Sequence, residues 1–269
     1  MRCLITTYQV WSEELDVKSL IPDSNIRRRL SPFVKRGVAT GLQAANSAER
    51  VGVFVDSIVT ATGLGCLEDS EKFLKNYLVS EEQLLNPTPF IQSTHNTIGG
   101  QIALGKKLHG YNLTFSHRND SFINALMDAL LLLSENESNA VLLGAVDEVT
   151  ATSGHLLHRL GWDKVFGEPK DVCAFFVLTS VDSPDENRSD SLDISNDGLV
   201  MQPSHTRVLL EFNCNDISTP TDCLTITADK SSFLSIADSL ISAILLLEQG
   251  EESVKVIDNK FSILLKWHS

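Results

Sequence analysis

Between residues 3 and 180, short apolar runs of strand length alternate with longer segments of helical periodicity. No other feature narrows the possible folds as much. Residues 3–11 alternate loosely, as a first strand does. "RVGVFVDS" (residues 50–57) is a compact apolar run of the kind buried on both faces of a sheet. "YNLTFS", "NAVLLGAVDEV" and "DVCAFFVLTSV" supply three further strands. Between them, "IPDSNIRRRLSPFVKRGVATGLQAA" carries a helix with Ser31 as its N-cap and Pro32 at its first position. "TATGLGCLEDSEKFLKNYLV" is a glycine-rich turn followed by an amphipathic helix, and Phe122–Leu133 is an apolar helix. Strands separated by helices at this spacing predict a largely parallel, helix-covered α/β sheet.

Residues 181–206, "VDSPDENRSDSLDISNDGLVMQPSHT", are acidic and punctuated by proline, and read as a linker. Residues 207–269 form a shorter block with strands and one helix of its own, a candidate reduced copy of the first.

The segment 111–133, "YNLTFSHRNDSFINALMDALLLL", runs from a buried strand through a sharp polar turn into the apolar helix. Met127, Leu130, Leu131 and Leu133 on that helix are expected to face the core. A turn at a helix N-terminus is a common seat for a nucleophile. This one offers Ser116, His117, Arg118, Asn119, Asp120 and Ser121, and no cysteine. Asn119 is suited to cap the helix that follows.

Other motifs carry less. "TGLGC" has two glycines but lacks the third glycine and the later acid of a dinucleotide fingerprint, so it reads as a strand-to-helix turn. Cys66 begins the next helix, where the helix dipole lowers a thiol pKa; the plainer reading is a packed structural cysteine. His155 and His158 in "GHLLH" share a helix face without a third ligand nearby, which argues against a metal. His95 sits in a polar loop before two glycines. No Gly-x-Ser-x-Gly elbow, phosphate-binding loop or zinc-protease helix occurs, and no cofactor is expected.

The net charge of −13 argues against nucleic acid as a partner. Its one basic cluster, Arg27, Arg28 and Arg29 with Lys35 and Arg36, reads as a solvated helix face before it reads as a phosphate dock. Five irregularly spaced cysteines suit reduced thiols, and the N-terminal "MRCLITTYQVWSEELD" lacks a long apolar segment. A cytoplasmic protein without a membrane span is expected.

Three stretches in order, "IPDSNIRRRLSPFVKRG", "NPTPFIQSTHNTIGGQIAL" and "YNLTFSHRNDSFINALMDALLLL…AVLLGAVDEV", resemble the N-terminal half of a β-ketoacyl synthase of thiolase-like fold. In particular, the chain is similar to the short or degenerate ketosynthase-like proteins of aryl polyene and related polyketide pathways. The resemblance implies a mostly parallel five-stranded sheet covered by helices, formed by a ketosynthase-like half over residues 1–180, with residues 207–269 as a reduced second half.

Laying "LGAVDE" on the family's Gly-Gly-x-Glu motif places Gly144 and Ala145 on the glycines and Asp147 on the acid. Counting back puts Asn119 at the position of the nucleophilic cysteine, flanked by His117, Arg118 and Asp120. An amide nitrogen conjugated to its carbonyl is no nucleophile. Ketosynthases also draw two histidines and a lysine from their second half, whereas residues 207–269 hold one histidine, His268. The resemblance therefore implies a non-catalytic subunit of chain-length-factor type, assisting fatty acid or polyketide elongation. Its partner would be an active ketosynthase or a second copy, with acyl carrier protein engaged indirectly. The alternative is an acyltransferase or thioesterase with a rearranged site using Cys66, Ser116 or His117, served by His117 or His95 as base.

Overall fold

The computed structural model describes residues 1–80, 83, 85–162, 169–181, 207–214, 224–227, 235–257 and 261–268. The first part of the chain supplies β1 (Arg2–Val10), β2 (Ser57–Ala61), β3 (Asn112–Phe115), β4 (Ala140–Asp147) and β5 (Val172–Thr179). Its helices are α1 (Val17–Leu20), α2 (Ser24–Arg29), α3 (Pro32–Arg50), α4 (Leu67–Val79), α5 (Pro87–Gln92), α6 (Thr97–Lys106), α7 (Ser121–Ser134) and α8 (Ala151–Arg159). The last part supplies β6 (Arg207–Cys214), β7 (Leu224–Thr227), α9 (Ser235–Glu248), β8 (Ser253–Ile257) and β9 (Phe261–His268). The expected linker, residues 181–206, lies outside the described residues apart from Val181.

The strands form one nine-stranded sheet in the order β3-β2-β4-β5-β1-β6-β9-β8-β7. β2 pairs in parallel with both β3 and β4, while β5 is antiparallel to β4 and to β1. β1 to β4 therefore share one direction and β5 reverses it, giving the mostly parallel five-stranded half expected.

The second half repeats this pattern outward from the β1–β6 junction. β1-β5-β4-β2 are joined antiparallel, antiparallel, parallel, and so are β6-β9-β8-β7. α7 precedes β4 as α9 precedes β8. Among the described residues, the copy has counterparts of β1, β2, α7, β4 and β5 and lacks those of α1 to α6, β3 and α8. It is reduced by omission of connecting helices and the edge strand, and the sheet nonetheless runs unbroken through both halves.

Alternation along the strands sorts side chains onto two faces. On one face, Val59, Val141, Leu143 and Phe176 pack with Phe122, Leu126 and Leu130 of α7 and with Leu240 and Ile244 of α9. On the other, Ile58, Leu142, Phe175 and Val177 pack beneath Val34, Val38 and Leu42 of α3 and Ile98 and Ile102 of α6. α3 begins as expected, with Ser31 accepting the Val34 N–H and Pro32 following. It lies close on α6 because Gly37 and Gly41 leave room: a Cβ on Gly41 would stand 2.3 Å from Ile102 Cδ1.

Two strand expectations need correcting. "RVGVFVDS" is not a strand: α3 runs to Arg50, Gly52 turns the chain at φ 84°, and pairing begins at Ser57. Val53 and Val55 are buried without a ladder, Phe54 is 68% exposed, and the Asp56 carboxylate holds the Asn139 N–H at 2.9 Å and the Ser138 hydroxyl. β3 is also not buried. It is the sheet edge, where Tyr111 and Leu113 are 39% and 40% exposed. On α7, Leu130 and Leu133 are core and Met127 is half-buried against it, but Leu131 faces outward.

Candidate functional site

In sheets of this kind, sites gather outside the C-terminal ends of parallel strands. Here those ends belong to β3, β2 and β4. β2 runs on into Thr62–Cys66, β3 into Ser116–Asp120, and β4 ends at Asp147 and Glu148.

Asp147 is 3% exposed. Its carboxylate accepts the Thr62 hydroxyl at 2.8 Å and the backbone N–H groups of Gly63, Leu64 and Gly65 at 3.1, 2.7 and 3.2 Å. Successive N–H groups turned to one point form an anion nest, which a carboxylate of the chain itself fills. Gly65 adopts φ 77°, a conformation that favours glycine, and a Cβ there would stand 3.2 Å from the His95 ring. Burial pushes the Asp147 carboxyl up to about 6, the four donors opposing it. Glu148 accepts the Glu68 N–H at 2.9 Å at the start of α4. Burial raises its carboxyl to about 7, aided by the charges of Glu68, Asp171 and Asp69.

The turn before α7 is a single 3-10 turn, Arg118–Asp120, with Arg118 at φ 52°. Left-handed backbone is uncommon for a residue with a Cβ. Ser116, His117, Arg118, Asn119 and Asp120 are all exposed, whereas Ser121 beneath them is completely buried. The Ser121 hydroxyl accepts the His117 N–H at 2.8 Å and lies 2.8 Å from the Thr62 carbonyl and 2.7 Å from that of Arg118. The Thr62 N–H in turn donates to the Phe115 carbonyl at 3.0 Å. The β2 loop and the β3 turn are thus laced together.

Asn119 stands differently from its sequence reading, and Cys66 takes the packed reading over the activated one. Asn119 does not cap α7: that position belongs to Asp120, whose side chain makes no cap bond. Cys66 does stand at the N-cap of α4, but its thiol is not activated. Burial, with Glu148, Asp69 and Asp147 adding to it, pushes it up to about 12. His95 comes to the site against Gly65. His155 and His158 lie exposed on α8, and no group of three metal-binding side chains occurs among the described residues.

In the basic cluster, Arg36 pairs with Asp171 at 3.4 Å and lies over the Trp11 ring. Arg27 donates to the Pro22 carbonyl and Arg28 to Asn25. Thr62 and Glu148 were missed in the sequence, and Ser121 was named in the turn without its buried role. The only signal for Ser121 was a small hydroxyl at the start of an otherwise apolar helix. No helix among the described residues is long and apolar enough to cross a membrane.

A family model described as "Beta-ketoacyl synthase, N-terminal domain" matches residues 9–153. Among solved structures, one similar chain belongs to a ketosynthase in complex with its chain length factor from Xenorhabdus doucetiae (TM-score 0.62, 17% identity, 99% of each chain covered). Another belongs to the ishigamide ketosynthase/chain length factor (TM-score 0.66, 12% identity, 99% of each chain covered). A third comes from a type II PKS acyl-carrier protein in complex with its ketosynthase bound to the hexaketide (TM-score 0.70, 13% identity, 100% of this chain and 99% of that one covered). At such identities these likenesses establish the thiolase-like ketosynthase fold. No curated protein matches.

Proposed function

The chain belongs to the β-ketoacyl synthase family, and on that premise we propose that it is a non-catalytic, chain-length-factor-type subunit assisting polyketide or fatty acid chain elongation. The observation that carries the reading is the turn before α7. Counting back from Asp147 on the family motif assigns Asn119 to the place of the thiol; Asp120 follows it, and Ser116 to Asp120 are exposed. An amide provides no nucleophile, and a neighbouring carboxylate opposes an anionic one. The rearranged-site alternative gains nothing from Cys66, which is 4% exposed with its thiol raised to about 12.

The partner in this reading is an active ketosynthase in the cytoplasm, with acyl carrier protein serving that subunit; a second copy of this chain is the competing partner. The sheet edge supports a strand-pairing partner. β3 pairs with β2 on one side and with no described strand on the other. Leu113, Leu104 on α6 and Leu131 on α7 are 40%, 72% and 40% exposed. An unblunted edge with exposed apolar side chains is a template for another strand. The aryl polyene class is the pathway the motifs favour.

The test is to express the chain alone and with the ketosynthase encoded beside it, and to measure mass in solution by light scattering. A stable mixed dimer is expected. A monomer or homodimer indifferent to the ketosynthase overturns the proposal.

A further inference from the structure

We infer that Asp147 and Ser121 are positioning residues: a hydrogen-bonded chain crosses from the end of β4 through the end of β2 and fixes the exposed turn before α7. The consequence for a partner rests on the proposed function, because the turn is then part of what the ketosynthase meets.

The links are specific. The Asp147 carboxylate accepts the Thr62 hydroxyl, and that hydroxyl accepts the Gly65 N–H at 2.8 Å. The Thr62 proton and one lone pair are therefore spent orienting its own loop, and the Thr62 carbonyl meets Ser121 at the start of α7. The Ser121 hydroxyl stands between that carbonyl and the turn, and it accepts the His117 N–H. A hydroxyl has one proton. With Thr62 and Arg118 carbonyls at 2.8 and 2.7 Å, Ser121 can bond only one of them well at a time.

Directed at Thr62, the proton docks the turn on β2. Directed at Arg118, it closes the turn on itself and gives up the Ser121 bond to Thr62. The position of the Thr62 carbonyl, which Asp147 fixes through the loop, decides between the two. This gives the left-handed Arg118 backbone its support, since an unfavoured conformation persists only where its surroundings hold it. The Gly63–Gly65 nest, the Thr62 hydroxyl and the Ser121 hydroxyl form one continuous device, and it belongs to a turn that displays His117, Arg118 and Asn119 to the outside.

The test is amide hydrogen exchange on the full chain, read separately over 62–66 and 116–121. Ser121→Ala is expected to accelerate exchange at 116–121 at least tenfold. Asp147→Asn turns an amide NH₂ toward the Gly63 N–H, and Thr62→Val removes the hydroxyl without changing volume. Each is expected to accelerate both segments, although neither altered side chain is hydrogen-bonded to the turn. Acceleration confined to 62–66, with 116–121 at the wild-type rate, overturns the inference. If Asp147→Asn does not fold, Thr62→Val decides alone, and Thr62→Ser must return both segments to wild-type rates.

In the same preparations, Ser121→Ala is expected to weaken ketosynthase binding about tenfold, and unchanged affinity overturns the turn's role at the interface. A wild-type chain that binds no ketosynthase defeats the proposed function, while the exchange rates still decide the coupling.

Discussion

Mild acid is expected to stabilise this protein, and Asp147 supplies a definite part of the effect. Its carboxyl is raised from an ordinary 3.8 to about 6 because burial outweighs the four donors it accepts from. A carboxyl whose folded pKa lies above its unfolded value binds its proton more tightly when folded. Stability therefore grows as pH falls from about 7 through 6, and the gain is complete only below the unfolded value of 3.8. A difference of this size corresponds to about 3 kcal/mol.

For a chain of 269 residues, the full gain is a rise in Tm of about 5 °C, of which about half falls between pH 7.5 and 5. Glu148, raised to about 7, acts with the same sign at slightly higher pH. Asp56 acts oppositely: burial works to raise its carboxyl, but hydrogen bonds from Ser138, Asn139 and Ala140 prevail and hold it low. Its contribution is present above the ordinary carboxyl pKa and is lost only in stronger acid. Scanning calorimetry from pH 7.5 to about 5 is the assay, with Asp147→Asn as the control that removes the titrating group. A wild-type Tm that stays flat or falls over this range refutes the reasoning, as does an Asp147→Asn chain with an undiminished slope.

Other perturbations follow from the packing. Gly144→Ala would place a Cβ 2.4 Å from Phe175 Cε1 between fully buried strands; a loss of about 3 kcal/mol in urea unfolding is expected. Phe122 is wholly buried and edge-on to Phe176 at 6.1 Å, so Phe122→Ala is expected to cost about 4 kcal/mol by the same measurement. Burial pushes the Cys3, Cys66 and Cys173 thiols up to about 12; peptide mapping after thiol alkylation of the native chain at pH 8 should find all three unmodified, and modified once the chain is unfolded. Leu113→Lys on the exposed edge strand is expected to leave the Tm within about 2 °C of wild type and to abolish the mixed dimer in light scattering.

The long apolar runs at β4 and β5 and the Ser31-Pro32 start of α3 were legible because each rests on local signals: burial on both faces, or capping chemistry. β2 was misplaced because an apolar run shows that residues are buried, not that their backbone is paired. Val53 and Val55 reach the core from a turn that Gly52 and Asp56 define. β3 read as buried because its edge position depends on strand order, and strand order is set by which helices find which face. The turn was recognised by its composition, but its geometry was hidden. The cap position expected of Asn119 falls one residue later, at Asp120, and the Ser121 hydroxyl beneath the turn has a partner as distant as residue 62. Asp147 was placed on a family motif, yet its task of filling a nest built 82 to 85 residues earlier leaves no trace in local sequence.

We propose that this chain supports elongation without carrying the acyl chain on a nucleophile of its own. Intact-mass spectrometry of the co-purified pair, after incubation with an acyl thioester, tests it most directly. The account predicts one acyl adduct on the ketosynthase and an unmodified mass for this chain. An acyl adduct on this chain would contradict it.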